Sequence, residues 1–215
     1  MQYLWTFNMQ VFMVKRFLKL QILTVFLVFG SILNAEPYSL TKVSQYLSNL
    51  KFLTAEFSQI NDDGTTSSGI IFIRRPGSMR FEYYKPDKNL ILISAGVLAI
   101  FDPKGDQTPI MYPITNNPIS FILNDEVDLL NAGIVENYEV YNDKAILTLR
   151  DPNKPDQGNI QIVFSGAKPE LAQFIIKNAN GSSTSLSLKD IEYPKKINAT
   201  LFSIALETNK RQQIN

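Results

Sequence analysis

The sequence predicts a mainly β fold of the α+β class, in which one antiparallel sheet follows a single N-terminal helix. From about residue 53 to residue 191, short runs rich in β-branched and aromatic residues recur between turn sequences. The links between most of these runs are too short to contain crossover helices, so neighbouring strands are expected to be antiparallel. The hydrophobic content of 45% is sufficient for a buried core, and 215 residues suit one domain.

The first 35 residues have the pattern of a secretory signal peptide. They carry three basic residues and no acid, then an apolar run at 22–29, then small or polar residues up to Ala35. The alternative is a retained membrane anchor, but the run is shorter than the ~18 to 20 residues that a spanning helix needs. We therefore expect cleavage after Ala35 and a single exported mature domain, residues 36–215. A methionine directly before the basic cluster is a second candidate start, which would make residues 1–12 an upstream extension.

Charge and cysteine content exclude several classes of protein. The chain has 21 basic and 20 acidic residues, and loss of the three basic residues in the signal peptide leaves 18 against 20, a formal net charge of −2. This balance gives no general attraction to nucleic acid, which we exclude as a partner. Cysteine is absent, so there is neither a disulfide framework nor a lipid-acceptor residue behind the signal peptide. The mature protein is expected to be soluble.

The elements follow in a simple order. Leu40, Val43, Leu47 and Leu50 have helical spacing, and Ser39 is a suitable N-cap. Residues 116–130 predict one or two short helices, since a proline stands at a first helical position. Eleven runs are predicted as strands: 53–60, 69–75, 79–85, 90–94, 97–101, 108–112, 135–141, 145–150, 159–164, 171–177 and 184–191.

Two of the predicted strands, at 70–73 and 90–93, are apolar at every position and therefore on both faces. Two structures explain this pattern. Either the sheet is covered by other layers on both sides, or it curves so that its concave face lines an apolar cavity. Periodicity alone favours core packing, because buried strands are common.

The chain contains neither histidine nor cysteine, which excludes Ser-His-Asp and Cys-His catalysis and the usual zinc sites. The remaining acidic clusters are Asp62-Asp63, which precede a glycine and indicate a turn, and Asp125 to Asp128, near the expected start of a short helix. Phosphate-binding and calcium-binding loop patterns are also missing from the sequence. We predict no cofactor, no metal and no enzymatic activity, which leaves binding as the class of function.

Six segments in order carry a resemblance to a known family: FLTAEFSQ (52–59), SGIIFIRRPGSMRFEYYKP (68–86), IFDP (100–103), NPISFIL (117–123), LRDP (149–152) and GNIQIVF (158–164). Together they resemble the periplasmic outer-membrane lipoprotein carriers of the Lol pathway, the LolA-like family. The resemblance implies an open, incomplete antiparallel β-barrel, with an N-terminal helix and short lid helices over a hydrophobic cavity for acyl chains. It thereby favours the cavity over plain core packing.

The resemblance also implies a ligand-binding site. Members of this family carry an arginine before a proline at the end of the second strand, and Arg75 stands at the matching position. By the family's pattern, the side chain of Arg75 holds the lid closed by hydrogen bonds to residues 118–123. The alternative is a solvated rim arginine, a role that suits Arg74 better, and the family match favours Arg75 over Arg74 as the residue that holds the lid. Arg75 has the parity of the strand residues expected on the concave face. Those residues and the apolar residues of the lid are predicted to contact the ligand: Ile71, Ile73, Met79, Phe81, Tyr83, Ile119, Ile122 and Leu123.

By this resemblance the protein is expected to be a monomeric carrier of acylated lipoproteins. Its partners would be the inner-membrane transporter that releases lipoproteins and an outer-membrane lipoprotein receptor. The main alternative is a periplasmic regulatory protein with the same barrel that senses a lipid or a misplaced lipoprotein.

Overall fold

The computed structural model describes residues 38–105, 108–114 and 117–213. The predicted signal peptide at 1–35 lies outside the described residues, so its cleavage and the boundary of the mature domain stay predictions. The helices are α1 (Leu40–Asn49), α2 (Pro118–Ile122) and α3 (Ile204–Gln212). The strands are β1 (Phe52–Asn61), β2 (Thr66–Arg74), β3 (Ser78–Tyr83), β4 (Leu90–Ser94), β5 (Val97–Phe101), β6 (Ile110–Pro113), β7 (Val135–Tyr141), β8 (Lys144–Leu149), β9 (Gly158–Ser165), β10 (Glu170–Asn178) and β11 (Ser183–Glu192).

All eleven strands form one antiparallel sheet in the order β6-β5-β4-β3-β2-β1-β11-β10-β9-β8-β7. Two meanders, β1 to β6 and β7 to β11, are joined because the first strand pairs with the last. The strands β6 and β7 stay at the two edges, and the link between them contains α2. The predicted fold, an open antiparallel barrel with few helices, is confirmed.

The first helix forms where its apolar spacing predicts it. The Ser39 hydroxyl accepts a hydrogen bond from Lys42 N at 3.4 Å, as an N-cap does. Val43 and Leu47 are buried in the main core together with the inner face of the sheet. Tyr46 meets Phe164 of β9 edge to face, with 5.9 Å between ring centroids. The helix therefore covers part of the concave face of the barrel.

One part of the predicted helical segment is not helical. Helix α2 ends at Ile122, whereas Asp125 to Leu130 form irregular structure. The hydroxyls of two serines on α1 take the place of helical hydrogen bonds here: Val127 N donates to Ser48 Oγ at 3.0 Å, and Leu129 N donates to Ser44 Oγ at 3.0 Å. The acidic residues of this stretch favour a helix start. The serines that hold its backbone are far away in the sequence, so a local pattern could not reveal them.

The strands that are apolar on both faces have two different coverings. On β4, Ile91 and Ile93 face the concave side, whereas Leu90 and Leu92 belong to a second buried cluster on the convex side. The convex cluster also contains Ala99 and Phe101 of β5, and Ile204 at the start of α3 packs against it. Each of the two explanations for strands that are apolar on both faces therefore holds on one face: a cavity on the concave side and a covering layer on the convex side. The covering by α3 was not predicted.

Arg80 attaches the C-terminal segment to the convex face. Its side chain is nearly buried, and it donates to Leu201 O at 2.8 Å and to Glu207 Oε2 of α3 at 3.4 Å. It also pairs with Glu82 on its own strand. Arg211, one helical turn after Glu207, donates to Glu207 Oε1 at 2.9 Å and lies over the ring of Phe101. The alternation of β3 places Arg80 on the face opposite to Met79 and Phe81, where α3 and the segment before it bury its side chain.

Substitution of Arg80 by leucine is expected to lower the free energy of unfolding by about 1–3 kcal/mol, since Leu201 O and Glu207 lose a charged donor under α3. Urea denaturation followed by circular dichroism measures this. The control is Lys189→Leu, because the ion pair of Lys189 with Glu56 is exposed to solvent and should contribute little to stability. Equal losses in the two variants would mean that the contacts of Arg80 with the C-terminal segment stabilise the fold no more than an exposed ion pair does.

Candidate functional site

The inner face of the barrel is built from alternate residues of adjacent strands. The pairing register puts Ile71 opposite Phe81 and Ile73 opposite Met79, and Gly69 opposite Tyr83. Residues that are directly opposite in an antiparallel pair share a face, so the predicted division of faces on β2 and β3 is confirmed. Phe72 and Arg80 form the corresponding pair on the other face.

Between this face and α2 lies an apolar cavity of about 290 Å³. Most of its lining is aliphatic or aromatic, and the residues that line it in the described part of the chain include no charged side chain. The lining consists of Gln59, Met79, Phe81, Tyr83, Ile91, Ile93, Leu98, Ile119, Ile122, Ile160, Phe174, Ile176, Asn178, Thr184 and Leu186. Such a surface suits a hydrocarbon chain, which gains free energy from leaving water and needs no hydrogen bonds.

Helix α2 lies over the cavity. The Asn117 side chain accepts from Ile119 N at 2.8 Å, and Pro118 at the first helical position has no N–H that would need a partner. One side of the helix presents Ile119 and Ile122 to the cavity. At its C-terminal end, Leu123 O accepts from Gly77 N of the β2–β3 turn at 2.8 Å. We call residues 117–123 the lid segment.

Arg75 holds the chain that follows the lid segment. Its side chain is only 4% exposed and donates to Asn124 O, to Leu50 O at 3.3 Å and to Asp125 O at 3.5 Å. The guanidinium thus connects the end of α1 to the chain leaving the lid segment. Burial lowers the pKa of Arg75 to about 10, although the carboxylate of Asp125 opposes this shift. The group remains charged at neutral pH, and its hydrogen bonds are charge-assisted.

The predicted hydrogen-bond partners of Arg75 were one to two residues too early in the chain. The prediction placed them at 118–123, whereas the observed carbonyls belong to Asn124 and Asp125, and Leu50 was not foreseen. The reason is that the carbonyls inside a short helix point along its axis and are largely used within it. The irregular chain after the helix has carbonyls free to turn towards an arginine.

An ion pair between Lys51 and Asp125 lies beside Arg75. Lys51 Nζ donates to Asp125 Oδ1 at 2.9 Å, and both side chains are more than half exposed. The hydrogen bond and charge of Lys51 hold the pKa of Asp125 below its usual range, and the charge of Arg75 acts in the same direction. The carboxylate therefore stays ionised at neutral pH, but as an exposed pair it contributes little to holding the lid.

The cavity has a polar patch at Gln59. Tyr83 donates from its hydroxyl to Gln59 Oε1 at 2.7 Å, and Gln59 Nε2 donates to Asn61 Oδ1 at 2.9 Å. Burial, with a smaller contribution from the charge of Asp87, raises the pKa of Tyr83 to about 12. The phenol therefore stays neutral at physiological pH.

The residues predicted to contact a ligand fall into two groups. Met79, Phe81, Tyr83, Ile119 and Ile122 line the cavity. Ile71 and Ile73 are buried in the core beside it, and Leu123 is buried at the end of the lid segment. Sequence reasoning missed the lining from β9, β10 and β11, such as Ile160, Phe174 and Leu186. Their alternation with polar residues was a usable signal, but it did not show which part of the inner face stays unfilled.

A larger space of about 530 Å³ lies beside the lid segment, but its chemistry differs. Asn117, Ser120, Asn124, Asp151 and Asn153 are among the residues that line it. Apolar residues such as Ile93, Ile114 and Phe121 line it as well, but polar groups and the acid Asp151 interrupt their surface. We therefore take the smaller, uncharged cavity, and not this rim pocket, as the candidate site for hydrocarbon.

Two other kinds of site were considered within 38–105, 108–114 and 117–213. No group of three or more acidic residues is arranged there to hold a metal ion. No helix in this part of the chain has both the length and the apolar character needed to cross a membrane.

Residues 48–205 match the family model described as outer membrane lipoprotein carrier protein LolA. An outer-membrane lipoprotein carrier protein of Coxiella burnetii is 32% identical over 108 residues, which are 46% of this chain and 51% of that protein. The chain thus spans about half the length of this relative. One from Chromohalobacter salexigens is 24% identical over 175 residues, 77% of this chain and 81% of that protein.

Solved structures with a similar course of the chain include two with related names. A LolA superfamily protein from Nitrosomonas europaea has 11% identity and a TM-score of 0.43, and covers 77% of this chain and 98% of its own. A putative outer membrane lipoprotein-sorting protein domain from Vibrio parahaemolyticus has 11% identity and a TM-score of 0.46, with 77% and 97% covered. The family model matches well over half of this chain, which therefore belongs to the LolA family of outer membrane lipoprotein carrier proteins.

Proposed function

We propose that this protein is a periplasmic carrier that binds the acyl chains of lipoproteins and delivers them from the inner to the outer membrane. The observation that supports it most is the uncharged apolar cavity beneath the lid segment, in a chain of the LolA family. In this proposal the function is binding and not catalysis. The donor is an inner-membrane transporter that releases lipoproteins, and the acceptor is an outer-membrane receptor.

The size of the cavity indicates that this conformation of the barrel is a closed one. Its volume of about 290 Å³ is at the lower limit of small-molecule pockets, which span about 300–1,000 Å³. A lipid anchor with more than one long acyl chain is larger than this. Binding therefore requires the lid segment to move away from the concave face, so that Ile119 and Ile122 give up their places to the cargo.

The contacts of Arg75 set the cost of this opening. Burial of an acyl chain releases about 0.8 kcal/mol per methylene, so a few chains would bind too tightly to be handed on. The hydrogen bond from this charged donor to Asn124 O, in the chain leaving the lid segment, favours the closed state by about 1.5–3 kcal/mol. Closure after release recovers this free energy, which lowers the net affinity and favours transfer to the acceptor.

The proposal predicts that cargo is captured from one face of β2 and β3 only. We expect the photo-crosslinker p-benzoylphenylalanine at Phe81, which lines the cavity, to capture a synthetic diacylated lipopeptide. The matched control is Phe72, which is also half-buried but faces the convex side. Crosslinked adducts are quantified by mass spectrometry of the purified protein. Equal capture at the two positions, or none at Phe81, would contradict the acyl-chain site.

A further inference from the structure

Two rows of apolar side chains run across the concave face from β2 to the free edge of the sheet. The register of five successive strands defines them. The first row is Ile71, Phe81, Ile91, Ile100 and Ile110. The second row is Ile73, Met79, Ile93, Leu98 and Tyr112.

Exposure rises along both rows towards β6. Ile71 and Ile73 are 0% and 2% exposed, whereas Ile110 and Tyr112 are 57% and 51% exposed. The middle of the rows lines the cavity, and Leu98 lies directly opposite Tyr112. The apolar surface of the cavity therefore continues without a charged residue to the edge of the sheet.

The edge strand β6 carries no charge; its shortness and Pro113, and not charged side chains, limit pairing with another strand. Strands at the edge of a sheet commonly carry charges or are covered, which prevents pairing with other chains. All four residues of β6 (Ile110–Pro113) are exposed, and none of them is charged. The opposite edge of the open barrel is β7, so the sheet is interrupted beside the two exposed side chains.

We propose that Ile110 and Tyr112 form a lateral portal through which an acyl chain enters the cavity and along which part of it stays bound. This inference rests on the proposed carrier function. The occupant is a hydrocarbon chain, because the exposed apolar surface of Ile110 and Tyr112 continues the cavity lining on the concave side alone. A partner strand adding to β6 would use the backbone edge and the side chains of both faces, Met111 included.

The chain supplies a matched control within the same strand. Met111 is 56% exposed, close to the values of its two neighbours, but it pairs with Ala99 of the convex cluster. Serine substitutions at these three exposed positions remove similar amounts of apolar surface and should leave the fold intact. Thermal unfolding by circular dichroism confirms that each variant is folded. Ile110→Leu and Tyr112→Phe keep the apolar surface and should behave like the parent.

The test measures the rate at which a fluorescent diacylated lipopeptide binds each variant in stopped flow. We expect Ile110→Ser and Tyr112→Ser each to slow association about fivefold, and Met111→Ser to change it less than twofold. A photo-crosslinker at 110 or 112 should capture the acyl chain, and one at 111 should not.

Equal losses at all three positions would show that β6 docks something through its backbone edge and would overturn the portal. Unchanged rates at Ile110 and Tyr112, with capture at Phe81 intact, would also overturn it while leaving the carrier function standing. Absence of any lipopeptide binding to the parent would overturn the proposed function and the portal together.

Discussion

Substitution of Arg75 by leucine is expected to trap the carrier with its cargo. The variant keeps an apolar side chain but loses the donors to Leu50 O, Asn124 O and Asp125 O. On the proposed mechanism, the bonds to Asn124 and Asp125, in the chain leaving the lid segment, break when the lid opens. Because the closed, empty state loses this stabilisation, apparent affinity for a diacylated lipopeptide should rise about tenfold or more, and release should slow correspondingly. Equilibrium binding and the rate of transfer to acceptor vesicles measure the two effects.

Two further variants make the Arg75 result specific. Arg74→Leu should change binding and release little, since Arg74 has the parity of the convex face, where it pairs with Ser78. Lys51→Ala removes only the exposed ion pair with Asp125, so an effect of no more than about fivefold is expected. Arg75→Leu releasing cargo as fast as the parent, or Arg74→Leu having the larger effect, would exclude Arg75 as the residue that holds the lid.

Substitution of Gly69 by alanine is expected to destabilise the barrel strongly. A Cβ atom at this position would lie 2.1 Å from Glu82 O of β3 and 2.7 Å from the ring of Phe57. The ring of Phe57 lies over this glycine and meets Phe81 and Tyr83, with centroids 5.9 and 5.0 Å away. Relief of the overlap would move either the β2–β3 pairing or these rings, at a cost of about 3 kcal/mol in the free energy of unfolding.

Chemical denaturation measures the loss, with Gly105→Ala as the control. A Cβ at Gly105 would meet its nearest atom, in Asp102, at 3.5 Å, which is an ordinary contact, so a change within about 1 kcal/mol is expected. Since Phe81 and Tyr83 line the cavity, Gly69→Ala should also weaken lipopeptide binding in the fraction that remains folded. A variant as stable as the parent would show that Phe57 does not pack closely on β2.

Local features of the sequence were enough to locate the strands and the first helix and to identify the family. Alternation and turn residues located all eleven strands, because each pattern acts within a few residues of the chain. Ser39 and Pro118 marked the starts of α1 and α2 through the same short-range chemistry. Parity then put Met79, Phe81 and Tyr83 on one face without knowledge of the tertiary structure.

Other features arise from contacts between residues that are far apart in the chain. The stretch from Asp125 to Leu130 is irregular because serines of α1 hold its backbone, and the side chain of Arg80 is buried because α3 covers it. Helix α3 did carry local signals, since Ser203 caps it and Glu207 lies in its first turn, but its composition is polar. Only the fold supplied the apolar surface of β4 and β5 that this helix covers.

The cavity likewise depends partly on the local sequence and partly on contacts between distant segments. Sequence could indicate an apolar inner face, but how much of that face α1 and the lid segment fill depends on how the two meanders join through β1 and β11. The same joining leaves β6 and β7 as free edges and brings Arg75 to the carbonyls of Leu50 and Asn124. Side-chain facing is a short-range property of a strand, whereas enclosed volume and hydrogen-bond partners across the barrel are set by packing between distant segments.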